Sequence, residues 1–563
     1  MNATQLLTHF ERLAEAPDAV PRLRRFILDL AVRGKLVEQD SADESAPELL
    51  TRIQAEKVRL VKSGAVKASK PIADADDVDA SLIPNTWRWS SLAEVGFISP
   101  RNAAPDDQLA SFVPMPCIAA DYGTPNRHEV RSWREIKTGY THFAEGDVGL
   151  AKITPCFENG KSTVFRGLVG GIGAGTTELH IVRPVLLSAD YILIYLKSSV
   201  YIATGIPRMT GTAGQKRVPS EYFTQSPFPL PPLAEQHRIV AKVDELMALC
   251  DQLEAAQQER ERRRDRLAAA SLQRLNQPAD ANPATDQTEP TEARQQAQRE
   301  QQKDHARFHL QNLNRLTTRP EHVKATRQTI RNLAMTGRLA TQSRSDEPAS
   351  TLLELNVRWR IAAIKRKQIR DPRKELAEVD HEFTPYDLPV GWAWARLGEV
   401  IYIQSGDGLT AANMKEGSIP VFGGNGINGH HDAFNVEAPT LVVGRVGYYC
   451  GSIHITPERA WVTDNAFVTH FCPELFSLRF LALLLMSTNL KENEGATAQP
   501  VISGSKIYPI VVGVPPLAEQ HRIIAKVDEL MALCDQLEAQ LTQSQTDSRR
   551  LLEAVLEAAL TPA

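Results

Sequence analysis

Apolar residues after position 232 recur at alternating steps of four and three: Ile239, Val243, Leu246, Cys250 and Leu253. That spacing keeps one helix face apolar and predicts a coiled-coil seam. Pro231 and Pro232 suit a first helical turn, where a missing N–H costs nothing. The pattern returns as Ile523, Val527, Leu530, Cys534, Leu537 and Leu541, and Leu551 and Val555 rejoin it after a polar gap at Ser544 and Ser548. Residues 231–255 and 515–539 are identical except at Val240 and Ile524. Val240, Met247, Ile524 and Met531 widen the apolar face enough for each helix to touch its own globular module as well. The alternative is that each helix only packs on its own domain.

The repeat extends upstream. LRRFILDLAVRGKL (23–36) aligns with TRQTIRNLAMTGRL (326–339), and PNTWRWSSLAEV (84–95) with PVGWAWARLGEV (389–400). The chain is therefore a tandem duplication, the feature to seek before any motif. Between the Trp-x-Trp pair and the long helix the halves diverge. There, short β-rich runs (GLAKITP, ELHIVRPV, TLVVGRVGYY, AWVTDNAFVTHF) alternate with Gly, Asn and Pro, and SADYILIYLKSS and SLRFLALLLMS read as helices. Two mixed α/β modules are expected on a shared frame. NQPADANPATDQTEPTEARQQAQREQQKD (276–304) holds no aliphatic residue larger than alanine and reads as a flexible linker. Basic stretches at 52–70, 358–374 and 260–266 are either solvated helix faces or phosphate contacts.

Composition adds limits. The 563 residues suffice for about three or four domains. No apolar run approaches the ~20 residues a membrane span needs, and MNATQLLTHFERLAEAP has no signal-peptide core, so a cytoplasmic protein is expected. The six cysteines lack metal spacing, which favours reduced thiols. The net charge of −4 is no advertisement for a nucleic-acid partner, but it hides distribution.

Catalytic constellations are missing from the sequence. ENGKS (158–162) ends like a phosphate loop, but Pro155 stands where its leading glycine belongs. There is no dinucleotide turn, no HExxH, no GxSxG and no tetrapeptide of the adenine-methyltransferase kind. His430, His431 and Asp432 read as a turn rather than a metal site. What the modules do offer is donor-rich loops: Lys152, Asn159, Lys161, Arg208, Gln215, Lys216 and Arg217 in the first, and Asn425, Asn428, Arg445, Asn465 and Lys506 in the second. Arg and Lys pair with guanine edges and Asn and Gln with adenine, so these are candidate DNA contacts.

FAEGDVGLAKITPCFENGKS, GTTELHIVRP and TAGQKRVPSEYFTQSPFPLPPLAEQHRIV resemble the first target-recognition domain and central helix of type I restriction-modification specificity subunits. IPVFGGNGINGHHDAF, LVVGRVGYYCGSI, WVTDNAFV and VISGSKIYPIVVGVPPLAEQHRII resemble the second domain and distal helix. LAEAPDAVPRLRRFILDLAVRGKLV resembles an N-terminal extension found in some branches of that family. The resemblance implies an α+β chain in which two target-recognition domains are separated by two long helices, paired as an antiparallel coiled coil with a pseudo-two-fold repeat. Its expected domains are a helical extension (1–80), target-recognition domain 1 (81–230), a central helix (231–275), the linker (276–306), a second extension (307–385), target-recognition domain 2 (386–514) and a distal helix (515–563). It implies a non-catalytic subunit that chooses a bipartite target on double-stranded DNA. Two methyltransferase subunits would use S-adenosylmethionine, and endonuclease/translocase subunits would use ATP and Mg; no cofactor or metal is expected in this chain. A helix from Leu233 to Leu275 rises ~64 Å, which would limit the unread spacer to about two duplex turns. The alternative is a coiled-coil assembly scaffold whose modules bind proteins instead of DNA.

Overall fold

The computed structural model describes residues 16, 18–64, 66, 82–212, 214–277, 301, 304–370, 379, 386, 388–447, 450–490 and 501–560. It comprises two compact units, Met1–Arg260 with Ser544–Ala563, and Glu261–Gln543. Most of the expected linker lies outside the described residues, as do the ends of two basic stretches.

Unit 1 begins with α1 (Ala19–Val32) and α2 (Ala46–Lys62). Glu48 starts α2 by accepting the Ser45 N–H at 2.9 Å, a capping-box contact. The module's two ends then close on each other, because β1 (Arg88–Ser90) pairs antiparallel with β10 (Phe228–Leu230). Between them lie β2 (Gly96–Ile98), β3 (Leu109–Val113), β4 (Glu129–Ser132), β5 (Thr141–Ala144), β6 (Val148–Ala151), β7 (Ser162–Val164), β8 (Ile172–Gly175) and β9 (Leu179–Pro184). They form two four-stranded sheets, ordered β2-β9-β6-β7 and β4-β3-β8-β5. Helices α3 (Ala189–Lys197) and α4 (Ser199–Gly205) follow, then α5 (Leu233–Asn276).

Unit 2 repeats the frame with α6 (Pro320–Met335), α7 (Ala349–Lys365), and β11 (Ala393–Arg396) paired with β19 (Val511–Val514). Its module contains β12 (Tyr402–Ser405), β13 (Ile419–Gly423), β14 (Gly426–His431), β15 (Leu441–Gly444), β16 (Ile453–Ile455), β17 (Trp461–Val462) and β18 (Ala466–His470), then α8 (Leu478–Ser487). The sheets are β12-β18-β15-β16 and β14-β13-β17, so the divergent sequence builds a different insert on the same ribbon. The last helix is α9 (Leu517–Leu560). Both expected helices form, and each expected strand run contains strand, though GLAKITP is strand only to Ala151, TLVVGRVGYY only over Leu441–Gly444, and AWVTDNAFVTHF is two strands with a turn between them; Tyr448 and Tyr449 lie outside the described residues.

The apolar stripe of the long helices is used differently from a simple seam. Ile239, Val243 and Cys250 are buried in the core of unit 1 among residues of α1, α2, α3 and the ribbon, with Leu246 and Leu253 half-buried against it. Ile523, Val527 and Cys534 are likewise built into the core of unit 2, with Leu530 half-buried there; Leu537 is half-exposed. A four–three step reports one buried face whether its cover is another helix or a domain. Here the domain covers the first turns.

Direction can be read within each unit. From Arg24 to Asp43 the extension meets α5 at falling numbers: Arg24 pairs with Glu254 (3.2 Å) and Asp251, Gln39 Nε2 donates to Glu235 (2.7 Å), and Arg238 pairs with Asp43 (2.7 Å). From Arg22 to Lys35 it meets the tail of α9 at rising numbers, Arg22 on Glu553 (2.8 Å) and Lys35 on the Leu560 carbonyl (3.0 Å). Ala16 and Ala19 bury Leu552 and Val555. Unit 2 mirrors this. Arg327 pairs with Glu538 and Asp535 (2.7 Å each) and Arg522 with Asp346 at the start of α9, whereas Arg319 and His322 take Asp265 and Arg338 takes the Asn276 carbonyl (2.9 Å) on the tail of α5. Within each unit the start of one long helix and the tail of the other therefore run antiparallel beside one extension helix.

The identical PPLAEQHR segments act as locks. Gln236, fully buried, accepts the Ser188 N–H at the start of α3 (3.0 Å) and donates to the Pro231 carbonyl (2.9 Å); Gln520 does the same with Ser477 (2.9 Å) and Pro515 (3.1 Å). Gly34 and Gly337 sit at φ 65° and 67°, each with a proline carbon 2.3 Å from where a Cβ would lie, Pro84 and Pro389 respectively, so only glycine fits.

One lock differs between the units. Glu235 is satisfied by Trp87 Nε1 (2.9 Å) and Gln39; beside buried Glu519 stand the equivalent Trp392 and Gln342, but neither carboxyl oxygen has a partner in hydrogen-bond range. Burial pushes the Glu519 carboxyl up to about 7 from 4.5. A folded carboxyl with a raised pKa holds its proton more tightly than the unfolded chain, so its contribution is full below 4.5 and is lost as pH rises through about 7. Unit 2 is expected to lose stability across that window and Glu519→Gln to flatten the loss, measured by denaturant unfolding of both proteins from pH 5 to 8; parallel curves would refute it.

Candidate nucleic-acid interface

In unit 1, backbone pairing brings the candidate loops together. Lys152 receives the Val218 N–H on its carbonyl (2.8 Å), the Thr154 N–H reaches the Lys216 carbonyl (2.9 Å), and Thr210 and Arg217 exchange bonds of 3.0 and 2.8 Å. Phe157 lies fully buried beneath, edge-on to Tyr201 and Tyr222. Gly205 at the end of α4 makes room for it, since a Cβ there would come within 2.5 Å of the Phe157 ring.

The seven residues separate into exposed side chains and side chains held by neighbours or half-buried. Asn159, Arg208, Gln215 and Lys216 are exposed, and the Arg208 guanidinium lies 5.6 Å from the Tyr222 ring centre. Arg217 is instead held in a two-pronged pair with Glu178 (2.8 and 2.9 Å), whose carboxyl it keeps below the usual range. Half-buried Lys161 donates to the Met115 carbonyl (3.4 Å), and Lys152 is also half-buried. Arg217 and Lys161 therefore shape the surface, and the other four exposed side chains supply its donors and acceptors.

Unit 2 has a comparable cluster. Asn425 and Asn428 are exposed on the β13–β14 hairpin, whose Gly424 carbonyl accepts from Ser452 (2.5 Å). Exposed Asn465 sits on the turn before β18, and its carbonyl accepts the Arg445 N–H (3.0 Å). The Arg445 side chain is occupied by Ser405 (3.3 Å), the Asp464 carbonyl (3.4 Å) and the Phe467 ring. Lys506 donates to the Val501 carbonyl (2.9 Å), next to Ile502, which bonds the Arg445 carbonyl. The asparagines face outward; Arg445 and Lys506 brace.

Two other expectations can be placed. His430 is exposed while adjacent His431, on the opposite face of β14, is buried and accepts the Lys415 N–H (3.0 Å). Among the described residues no group of three or more His, Cys, Asp or Glu could hold a metal, and no helix is long and apolar enough to cross a membrane. The basic stretches are partly structural. Lys57 is spent on the carbonyls of Ala93, Glu94 and Gly96 (2.6, 3.1 and 2.9 Å) and Arg360 on that of Gly398, whereas Arg358, Lys365 and Arg366 remain exposed. In 260–266, Arg264 pairs with Glu261.

Sequence reasoning missed the locks at Glu235, Gln236 and Arg238 and their copies. The signal was present: PPLAEQHRI recurs unchanged at 231–239 and 515–523, with Asp43 and Asp346 at the spacing of the extension repeat. It also missed Asp244 and Asp528. These equivalent helix positions hold the modules by different partners, Tyr122 (2.8 Å) in unit 1 and Arg479 (2.6 and 2.7 Å) in unit 2.

Residues 389–544 match the type I restriction modification DNA specificity domain. The type I restriction enzyme EcoEI specificity subunit of Escherichia coli is 35% identical over 595 aligned positions, spanning 96% of this chain and 94% of that protein. The EcoAI specificity subunit of the same organism is 33% identical over 581, with 96% and 94% covered. A crystal structure of the HsdS subunit from Thermoanaerobacter tengcongensis is 19% identical, covers 85% of this chain and 97% of its own, and gives a TM-score of 0.43. At 35% and 33% identity to the EcoEI and EcoAI subunits over 96% of its length, the chain belongs to the type I restriction enzyme specificity subunits.

Proposed function

We propose that this chain selects a bipartite sequence on double-stranded DNA, each module reading one part, and contributes no catalytic group of its own. The observation that carries this is the pair of outward polar clusters: Asn159, Arg208, Gln215 and Lys216 on one module, and Asn425, Asn428 and Asn465 on the other, each beside an arginine already held by a neighbour, Arg217 by Glu178 and Arg445 by Ser405. Amide side chains can take both edge groups of adenine, and Arg or Lys those of guanine. Because the clusters differ in composition while the frame repeats, the two parts of the target should differ in sequence. Exposed Arg358, Lys365 and Arg366 would meet phosphates, which fix position but carry no sequence information.

In this reading two methyltransferase subunits, using S-adenosylmethionine, dock on the repeated frame, and endonuclease/translocase subunits using ATP and Mg join them in the cytoplasm. The amide-rich clusters contain no nucleophile paired with a base, so this chain's work is to bind and orient.

Selection from a pool of randomised duplexes by the assembled complex tests the proposal. The expected outcome is a two-part consensus whose enrichment falls as salt rises from about 50 to 200 mM, because counterions are released on binding. A pool that stays random, from a complex that assembles normally, would favour the scaffold reading.

A further inference from the structure

Lys197 ends α3, whose sequence YILIYLK is apolar up to that residue, and it is only 6% exposed. Its Nζ lies 3.4 Å from the Ala119 carbonyl, 2.7 Å from that of Ala120 and 3.0 Å from that of Gly160. An ammonium has three N–H donors, and three backbone oxygens surround this one. The acceptors belong to two segments distant in sequence, 118–122 and 157–161. Gly160 stands between Asn159 and Lys161, and Lys161 ties the same loop to the turn just before the first segment, through the Met115 carbonyl at 3.4 Å. From the first segment Tyr122 donates to Asp244 on α5 at 2.8 Å, so that segment is anchored to the long helix.

We propose that Lys197 is a positioning residue for DNA reading by the first module: its ammonium clamps the 157–161 loop to the helix-anchored 118–122 segment and so sets where Asn159 meets a base. This rests on the bipartite reading above. Stability alone is a poor reason for such a group, since burying a charge is costly and an apolar side chain of equal length often does as well. Burial draws the Lys197 pKa down to about 7, with Asp121 pulling it back up, which reflects that cost. The second module has no such clamp at the corresponding place. Counted from the serine that caps each helix, Ser188 and Ser477, the position of Lys197 is taken by Met486, which is 55% exposed.

The test is single-molecule mapping of N6-methyladenine in DNA from cells expressing the full chain, wild type or Lys197→Met, with its methyltransferase subunit. The expected result is relaxation confined to one part of the target: sites mismatched in the part read by the first module are methylated about tenfold more often, and the other part stays as strict as in the wild type. A first part as strict as in the wild type would overturn the clamp, and so would equal loosening of both parts. If the Met variant yields no assembled complex, Lys197→Gln, which keeps two donors, is read in its place with the same expectation; failure of both to assemble would make Lys197 a folding residue and also overturn the proposal. A wild type that methylates no two-part motif would instead defeat the DNA-reading proposal itself.

Discussion

Replacing Ile239 with aspartate is expected to unfold the module of unit 1 and leave that of unit 2 protected. Ile239 is fully buried in a cluster that includes Trp87, Tyr191, Ile194 and Phe228. Losing the side chain costs ~2–5 kcal/mol by itself, and an unpaired carboxylate in that setting adds several more. Against a domain stability of ~5–15 kcal/mol, the sum removes most or all of it. Hydrogen exchange should show peptides between residues 92 and 230 losing protection, while those between 393 and 487 keep theirs. Ile523→Asp should give the mirror image. Leu249→Asp, at a position 50% exposed on the same helix, should change little in either. If Ile239→Asp left the first module protected and disturbed only assembly, the long helix would be a seam there, and its place in the core would be wrong.

The repeat of PPLAEQHR shows what was legible in the sequence and what was not. Duplication, helix limits and the strand-rich inserts follow from periodicity and self-comparison, because those signals are local or identical in two places. The cover on the apolar stripe is different. A helix facing a partner helix and one facing a domain write the same four–three pattern, so Ile239 and Val243 could not be assigned from spacing. The interface was half-legible for a related reason. Loop composition pointed to Arg217 and Asn159 alike, but the carboxylate that occupies Arg217 is Glu178, 39 positions away. Lys197 gave no signal, since a lysine at the end of a helix usually reaches solvent, and only the fold brings three carbonyls round it.

Exchange of residues 84–230 for the corresponding module of another family member should change one part of the DNA target completely and the other not at all. The frame makes such an exchange feasible, because the incoming module has to reproduce the apolar face that Trp87, Tyr191 and Phe228 lay against Ile239 and Val243 and only a few polar contacts to the helix. Trp87 reaches Glu235, the cap of α3 reaches Gln236, and Tyr122 reaches Asp244. An incoming module must bring a tryptophan for the first contact and a helix start for the second. The third already tolerates different chemistry, as Arg479 shows on the equivalent aspartate in unit 2.

Within unit 2 the second module is tied to its own long helix. Arg522 holds the second extension through Asp346, and Gln520 and Asp528 hold the second module through Ser477 and Arg479. Its outward asparagines should therefore keep both place and preference. The most direct measurement is a methylation map of DNA from cells that express the wild-type or exchanged chain with the cognate methyltransferase subunit. A two-part N6-methyladenine motif in the wild type, with one part replaced and the other retained after exchange, is the predicted result. A motif that is continuous, or that changes in both parts when only residues 84–230 are exchanged, would contradict two independent readers on one duplicated frame.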